Sequence, residues 1–332
     1  MEITIHQVAN LANVSVSTAS RILNGGTKGL RADAALRAER VMAAARQLGY
    51  QPNRAARGLV MKRSFCIGFI GTEMENPVRS RLVESLRLAA WAKNYQLLAT
   101  SVRFGEDIEQ VLSHLLSQRI DGLILGNIST FPPAMLDGLK NTEMPVVSFG
   151  GRQEVAWDNV VMDYTQMGEE ITRHLVEDHH FKKIVYAGFG RNYPRRDGYM
   201  TVMHEAGLKP QFLEADGCTL ETGRVLAKSL LSDGLPEAVV CHNDLLAIGF
   251  IAGLRSQNIR VPEDVAVVGF DNIDMADFYH PRLTTIGNRL ELGPVLFELL
   301  WRRLENSGPV LPESIVCPHQ LYIRESCGCP VS

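Results

Sequence analysis

From residue 64 onward, short apolar runs alternate with stretches of helical pattern, and this alternation constrains the fold more than any other feature. Seven runs have the length and composition of buried strands, at 66–71, 95–102, 122–127, 145–150, 183–189, 237–241 and 265–270. Helical stretches such as 77–94 and 107–118 lie between them. Alternating strands and helices form parallel sheets with helices on both faces. About ten such units predict two sheets and therefore two lobes.

The segment before this alternation has a different pattern. Residues 3–24 predict two short helices joined by a tight turn at Asn13 and Val14, with Ser15 capping the second helix. A third helix is expected from about 33 to 48. The apolar faces are expected to comprise Val8, Ala9, Leu11 and Ala12 in the first helix and Val41, Ala44, Ala45 and Leu48 in the third. This is the pattern of a helix-turn-helix whose second helix enters the major groove. The alternative is a helical hairpin in an ordinary core.

Charge is distributed unevenly along the chain. Residues 1–63 hold ten basic and three acidic side chains, a net charge of +7, which leaves −10 for the remaining residues. A basic head on an acidic body is typical of a nucleic-acid-binding protein. Arg21, in the second predicted helix, is able to donate two hydrogen bonds to guanine O6 and N7.

Composition excludes several other classes. A chain of 332 residues with 45% hydrophobic content is long enough for more than one domain. It has no apolar run of membrane-spanning length and no hydrophobic signal segment, so a cytoplasmic location is expected. Six scattered cysteines would be reduced there. Cys327 and Cys329 could bind a metal, but two thiols alone make a poor site. No metal and no cofactor are therefore expected.

Several motifs together resemble the lactose/galactose repressor family. They are residues 3–24, YQPNRAARGL (50–59), Asn76-Pro77, Asn243-Asp244, VPEDVAVVGFDN (261–272) and PRLTT (281–285). The resemblance covers nearly the whole chain. It implies a helix-turn-helix head (1–48), a hinge helix or linker (49–63) and a two-lobed core like periplasmic sugar-binding proteins (64–332). Lobe 1 would comprise about 64–163 and 288–320, and lobe 2 about 164–287. It also implies a homodimer, a palindromic operator and a small-molecule effector.

The resemblance assigns residue roles at the DNA. Val16 and Ser17 match positions that select the operator sequence, and Arg21 matches an arginine that contacts guanine. Phosphate-contacting positions are matched by Thr4, Ser15, Thr18 and Asn24. In the hinge, a short helix can start at Pro52, and Asn53 is counted among the DNA-binding residues. Leu59 matches a leucine that wedges between base steps in the minor groove, and Ala56 matches the small residue beside it. An ordinary linker residue is the alternative for Leu59.

The resemblance also places an effector between the lobes. Val78 and Arg79 match contacts from the first lobe, and Asn243 and Asp271 match contacts from the second. The latter two follow predicted strands, where open parallel sheets bind ligands. Asp271 would accept hydrogen bonds from two sugar hydroxyls. A capped turn is the alternative for Asp271.

Two loops depart from the family pattern. The loop after Asn24 is a few residues longer than usual, and the loop 188–199 is shorter. One alignment of the second loop puts Tyr193 at a ligand-binding arginine position, and another puts Arg191 there. Arg195 matches a family arginine in both alignments, with a structural role as the alternative. The choice between these alignments stays open here.

Arginines at these positions favour a negatively charged ligand. Arg79 stands where many relatives carry an aromatic or small residue, and Arg191 or Arg195 would face it across the cleft. Guanidinium groups pair well with carboxylate and phosphate. A sugar acid or sugar phosphate is therefore considered beside a neutral sugar.

Two other functional classes fit less well. An enzyme is disfavoured because Gly188-Phe189-Gly190 lacks the third glycine of a dinucleotide motif, and neither a phosphate loop nor a nucleophile elbow is present. A plain sugar-binding protein is disfavoured by the basic head. The sequence thus predicts a cytoplasmic, effector-controlled transcription factor, most simply a repressor of carbohydrate-uptake or catabolic genes. It leaves open the effector, its sign of action, the target genes and the choice of dimer or tetramer.

Overall fold

The chain forms two compact units in this computed structural model, Met1–Ser64 and Phe65–Ser332. The structure describes residues 3–23, 32–50, 58, 61–72, 74–102, 106–128, 131–151, 154–189, 193–230, 234–288, 290–306 and 311–330. Among these residues, no helix is both long and apolar enough to cross a bilayer.

The described residues of the first unit form three helices: α1 Ile5–Ala12, α2 Val16–Leu23 and α3 Ala32–Leu48. The predicted core is confirmed, because Val8, Ala9, Ala12, Val41, Ala44 and Ala45 are all buried and Leu48 packs against them. Leu11 is the exception. It is 48% exposed because it lies to one side of the face formed by the buried residues of α1.

The second unit consists of alternating strands and helices. The first half comprises β1 Cys66–Thr72, α4 Pro77–Ala92, β2 Gln96–Val102, α5 Ile108–Leu116, β3 Gly122–Gly126, α6 Pro133–Lys140, β4 Val146–Gly150, β5 Asp158–Val161 and α7 Tyr164–Arg173. The second half comprises β6 Ile184–Gly188, α8 Pro194–Glu205, β7 Gln211–Glu214, α9 Leu220–Ser229, β8 Ala238–Cys241, α10 Asp244–Arg255, β9 Ala266–Phe270, α11 Met275–Phe278, β10 Thr284–Asn288, α12 Leu292–Glu305, β11 Ser314–Val316 and β12 His319–Tyr322.

Two six-stranded sheets, each at the centre of one lobe, account for the strands in the described residues. Their strand orders are β11-β5-β4-β3-β1-β2 and β12-β10-β9-β8-β6-β7. Neighbours are parallel, with Ile67 opposite Gly122 for example, except that β12 runs antiparallel to β10. Because β12 begins at His319, the second sheet includes residues 319 and 320, which the sequence had placed in the first lobe.

Between the described strands and helices, the chain passes from one lobe to the other three times. The crossings join β5 to α7, β10 to α12 and β11 to β12. Each is short: Val161 to Tyr164, Asn288 to Leu292 and Val316 to His319. The carboxyl ends of the parallel strands in both sheets therefore border one cleft, where ligands of open parallel sheets bind.

Close packing of α7 on α8 fixes two helices that begin at this cleft. A Cβ atom added at Gly198 in α8 would collide with the backbone carbonyl oxygen of Thr165 in α7. Only glycine permits this approach. The helix pair carries Tyr164 and Arg195 near its N-terminal ends.

Candidate nucleic-acid interface and effector cleft

A cluster of hydroxyl groups begins α2. The Ser15 hydroxyl oxygen accepts a hydrogen bond from the Thr18 backbone N–H at 3.2 Å. It also lies 2.9 Å from the Ser17 hydroxyl and 2.8 Å from the Thr18 hydroxyl. Ser15 therefore caps the helix, as expected from the sequence, and holds the three hydroxyls together at the helix N-terminus.

The two faces of α2 differ in exposure. Ala19 and Ile22 are buried in the three-helix core, whereas Ser17 and Arg21, one turn apart, are exposed. Residues four apart lie on the same side of a helix. A serine hydroxyl and a guanidinium group are thus presented together, with donors suited to the edges of bases.

The remaining predicted contacts of this unit surround that face. Thr4 is exposed at the start of α1, where its backbone N–H donates to Gln7 Oε1 at 2.9 Å. Thr18 is half-buried, and so is Val16, which packs partly against the three-helix core. Four predicted DNA-binding residues lie outside the described residues: Asn24, Asn53, Ala56 and Leu59.

In the second unit, Asp271 joins the two lobes. Its Oδ2 accepts a hydrogen bond from Asn76 Nδ2 of the first lobe at 3.0 Å, and its Oδ1 accepts one from Arg195 of the second lobe at 2.7 Å. The side-chain oxygen of Asn76, Oδ1, accepts the Val78 N–H at 3.0 Å and caps α4. This contact orients the amide so that its Nδ2 faces Asp271. Each carboxylate oxygen of Asp271 thus has a protein partner.

The backbone at Asp271 is also unusual. Its φ is +103° and that of Asn272 is +48°. Such angles strain residues other than glycine, and strain of this kind clusters at functional sites. Two hydrogen bonds to Asp244 hold the residues next to this turn. Its Oδ2 accepts the Ile273 N–H at 2.9 Å, and its Oδ1 accepts a hydrogen bond from the Thr285 hydroxyl at 2.6 Å. Burial, reinforced by Asp271, holds the pKa of Asp244 well above its ordinary value.

Arg195 is held by several groups at once. It donates to the His242 carbonyl oxygen and to Asp271, both at 2.7 Å, and its guanidinium lies 4.8 Å from the Tyr164 ring centroid. The side chains of Arg195 and Asp271 are each 11% exposed. Burial lowers the pKa of Arg195, but the Asp271 carboxylate together with Tyr164 and Tyr186 outweighs burial and leaves this pKa above its ordinary value. The ion pair is therefore largely removed from water.

A narrow cleft lies around this ion pair. Its lining residues carry two positive charges and one negative charge. They are Asn76, Val78, Arg79, Tyr164, Met167, Arg195, Asp271, Gly287 and Asn288. The structure thus brings four predicted effector contacts together, namely Val78, Arg79, Arg195 and Asp271.

Two lining residues offer polar groups to a ligand. The guanidinium of half-buried Arg79 lies 5.4 Å from the Phe149 ring centroid, on the first-lobe side. Asn288 Oδ1 is buried and has no hydrogen-bond partner within the described residues. An unsatisfied buried acceptor is uncommon and calls for a partner such as a ligand hydroxyl or amine.

Of the other three predicted effector residues, two lie outside the cleft lining and one lies outside the described residues. Asn243 does not line the cleft: it is 4% exposed, caps α10 by accepting the Leu246 N–H at 2.8 Å, and donates to the Cys218 carbonyl oxygen. Tyr193 also lies outside the lining. It is 39% exposed and stacks on Phe189 with ring centroids 5.0 Å apart. Arg191 lies outside the described residues.

His242 lies behind Arg195 in a buried aromatic group. Its Nδ1 is 2.7 Å from the Tyr186 hydroxyl, and its ring contacts Phe189 and Tyr193 edge-on. Burial, followed by the charge of Arg195, holds the pKa of His242 well below its ordinary value. Burial also raises the pKa of Tyr186. Both groups are neutral at physiological pH.

Five lining residues were not predicted as contacts: Asn76, Tyr164, Met167, Gly287 and Asn288. Asn76 carried a signal, since an asparagine before Pro77 marks a helix start. Tyr164 and Asn288 adjoin crossings between lobes, and these crossings follow from strands that the apolar pattern did not reveal.

A helix-turn-helix unit and a two-lobed α/β unit with a polar cleft together define a DNA-binding regulator that responds to a ligand. A family model described as "Bacterial regulatory proteins, lacI family" matches residues 4–53. One described as "Periplasmic binding proteins and sugar binding domain of LacI family" matches residues 64–325. The chain belongs to the LacI family and is a transcriptional regulator rather than an enzyme.

Similar proteins span the same length. The HTH-type transcriptional repressor PurR of Pasteurella multocida (strain Pm70) is 30% identical over 336 residues, 97% of this chain and 98% of that protein. Catabolite control protein A of Staphylococcus aureus (strain Mu50 / ATCC 700699) is 28% identical, with 98% and 99% covered. The Lac repressor dimer bound to operator and the anti-inducer ONPF has the same fold, with a TM-score of 0.82 at 23% identity and 98% and 99% coverage.

Proposed function

We propose that this protein is a homodimeric repressor that acts in the cytoplasm on palindromic operators and is controlled by an effector bound between its two lobes. The proposed division is a head at 1–48, a hinge at 49–63 and an effector-binding core at 64–332. The controlled genes would serve carbohydrate uptake or catabolism. The observation that carries this proposal is the cleft in which Arg79, Arg195 and Asp271 converge.

At the DNA, α2 would lie in the major groove. Its exposed face would read bases through Val16, Ser17 and Arg21, while Thr4, Ser15, Thr18 and Asn24 would bind phosphates. Hinge residues Asn53, Ala56 and Leu59 would occupy the minor groove between half-sites, where Leu59 would wedge between base steps. The exposure of Ser17 and Arg21 on one side of α2 supports the first part of this arrangement.

In the cleft, we favour an anionic sugar as the effector. The lining residues carry two guanidinium groups, on Arg79 and Arg195, and one carboxylate, on Asp271, which pairs with Arg195. Arg79 would bind the carboxylate or phosphate of the ligand, because a guanidinium pairs with such groups through forked hydrogen bonds. Asn288 Oδ1 would accept a hydrogen bond from a ligand hydroxyl.

Coupling to DNA would run through the contacts between lobes. Asn76 reaches Asp271, and Arg81 of the first lobe donates to Asp274 of the second at 2.7 Å. A ligand that alters these contacts changes the angle between the lobes. It thereby shifts the population between states that bind DNA and states that do not.

The proposal is tested by a thermal-shift screen of neutral sugars, sugar acids and sugar phosphates, followed by anisotropy measurements on operator DNA. We expect an acidic compound to raise Tm and to change operator affinity. Arg79→Ala should abolish this response, whereas Arg87→Ala, which removes an exposed arginine of the same helix paired with Glu84, should retain it. If instead a neutral sugar changes Tm and operator affinity, and does so equally in the wild type and in the Arg79→Ala variant, the anionic assignment is contradicted.

A further inference from the structure

Four side chains with metal-binding atoms meet in the second lobe, away from the cleft lining. They are His174, His179, Cys327 and Cys329, and their ligand atoms all lie within 4.8 Å of one another. The Cys329 sulphur is 3.3 Å from His179 Nε2 and 3.9 Å from His174 Nε2. The sequence-based objection that two thiols alone make a poor site does not apply, because the fold adds two imidazoles.

We propose that these residues form a structural zinc site. Zinc prefers tetrahedral coordination by nitrogen and sulphur, and ligand distances of about 2.0–2.3 Å imply edges of roughly 3.3–3.8 Å in such a tetrahedron. The sulphur–nitrogen separations of 3.3 and 3.9 Å are close to these edges, and all four ligand atoms lie within 4.8 Å of one another, so binding requires the ligands to move together by about an ångström. Two sulphurs and two nitrogens favour zinc over magnesium or calcium, which prefer oxygen ligands. Four protein ligands leave no open position, which is the arrangement of structural sites.

The backbone brings the two histidines together by a departure from regular α-helix. Helix α7 continues into a π-helical turn over His174–Asp178, and His179 follows directly. A π-helix has more residues per turn than an α-helix, so positions 174 and 179 come close to one face. Their rings lie 4.9 Å apart at their centroids. Single π turns of this kind are frequent at functional sites.

The two cysteines are placed by a second local feature. Cys327 ends a short 3₁₀ turn, and Gly328 has a φ of +91°, a conformation that favours glycine. The chain reverses at Gly328 and returns Cys329 beside the histidines. Cys327 is 1% exposed within the core of the second lobe, so its thiol is held in place by packing.

Surrounding groups fix the ligand atoms in the way that metal sites require. Asp178 Oδ2 lies 2.7 Å from His174 Nδ1, which directs the proton to Nδ1 and leaves the Nε2 lone pair facing Cys329. The hydroxyl of Thr284 donates to the Cys327 sulphur at 3.1 Å. Partners of this kind orient the ligands and are a regular part of zinc sites. The His179 ring stacks on Phe181 at 5.1 Å.

Zinc would join segments distant in sequence. The ligands come from the turn after α7 and from residues that follow β12, the strand that closes the second sheet. Loss of the metal should therefore loosen residues 323–330 and lower the thermal stability of the chain, because binding free energy of a structural metal contributes to folding.

Metal content of the full-length protein, purified without a histidine tag, tests the proposal. We expect one zinc per chain by mass spectrometry, and loss of that zinc with a fall in Tm after exhaustive dialysis against a chelator. Cobalt added to the metal-free protein should give the visible bands of tetrahedral Co²⁺ and a thiolate charge-transfer band. Protein that takes up no stoichiometric zinc, or cobalt in octahedral form without thiolate bands, would overturn the site.

Two variants with matched controls identify the ligands. Cys329→Ser and His179→Asn should each lower zinc affinity at least tenfold in competition with a chromophoric chelator. Cys66→Ser, a thiol of the first lobe, and His180→Asn, the neighbour of His179, should bind zinc like the wild type. Equal affinity in all four variants would refute the assignment. So would quantitative formation of a Cys327–Cys329 disulfide in protein purified under reducing conditions with zinc present.

Discussion

At the scale of single residues, the structure distinguishes side chains that face outward for recognition from those that hold the fold. Ser17 and Arg21 belong to the first group, since α2 buries its opposite side against α1 and α3. Asn243 belongs to the second, although its place after β8 had suggested a ligand contact. Its amide is used to cap α10 and to hold the Cys218 loop.

Arg21→Ala tests the role of the outward face. We expect a loss of about 1–3 kcal/mol in operator binding and a relaxed base preference at the contacted position, because two hydrogen bonds to guanine are removed. A binding-site selection with each protein measures both effects. Arg46→Ala removes the same charge from the last turn of α3 and should leave base preference intact. Unchanged selectivity in Arg21→Ala would exclude base recognition by this residue.

The ion pair of Arg195 and Asp271 should show strong coupling in a double-mutant cycle. Asp271→Ala leaves a largely buried guanidinium without its carboxylate, so we expect a loss of about 3–5 kcal/mol in the free energy of unfolding. The double variant Arg195→Ala/Asp271→Ala should lose less than the sum of the single variants. Urea unfolding monitored by fluorescence gives the four values. Additive losses would show that the two side chains act independently.

His242 should make stability depend on pH in a defined direction. Its pKa in the folded protein is depressed, so below about pH 6.5 the unfolded chain binds a proton that the folded chain does not. Stability from this group is present above that pH and falls as the pH is lowered, by at most about 1.4 kcal/mol per pH unit. His242→Gln keeps Tyr186, Arg195, Asp244 and Asp271 and should reduce this slope. The free energy of unfolding of the wild type and of His242→Gln is measured by urea unfolding between about pH 7.5 and 5.5. An equal dependence on pH in the two proteins would contradict the role assigned to His242.

At the scale of elements, contacts between helices position the cleft. Arg195 stands in the first turn of α8, and α8 is fixed against α7 by the close approach at Gly198. A shift of one helix therefore moves the Arg195 guanidinium relative to Asp271 and Tyr164. The geometry of the cleft depends on this contact as much as on the lining residues.

Gly198→Ala tests that dependence. The added methyl group must displace the Thr165 backbone, and overpacking of this kind costs about 1–3 kcal/mol. We expect a lower Tm and weaker effector binding. Gly138→Ala is the control, because a Cβ atom at that position in α6 meets nothing within 4 Å. Wild-type effector affinity in Gly198→Ala would show that α8 tolerates the shift.

How much the sequence predicts depends on whether an element carries its own pattern. β1, β3 and β9 are fully apolar runs and were expected within one residue or so of their observed bounds. β5 was not expected: it reads DNVV, and its first polar residue, Asp158, is buried in a tertiary ion pair with Arg303. β12 was missed for a similar reason, since only its pairing with β10 makes it a strand.

The sites show the same division. The position of Asp271 in the cleft lining follows a strand end, and the end of a buried run is visible in sequence. The grouping of His174 and His179 with Cys327 and Cys329 was not visible, because it depends on a π turn and brings together residues some 150 positions apart in the chain. No local pattern connects those positions.

At the scale of the whole molecule, the two functions must be linked thermodynamically. If the effector changes operator affinity by some factor, the operator must change effector affinity by the same factor. Titration of effector with and without saturating operator duplex, and of operator with and without effector, gives the two ratios. We expect them to agree within error. Unequal ratios would mean that the effector acts at a site or in an oligomeric state other than the one proposed.

The three short crossings between the lobes limit how the lobes can move relative to each other. Connecting segments of nearly fixed length oppose sliding and separation of the lobes. The main motion left to the lobes is rotation about an axis that passes through the crossings. The displacement of an atom in one lobe relative to the other lobe then grows with the distance of that atom from the axis. A ligand held between Arg79 and Asp271 would be sensed chiefly through its thickness, which sets the angle at which the lobes come to rest. Two ligands with the same polar groups but different girth should therefore produce different degrees of regulation.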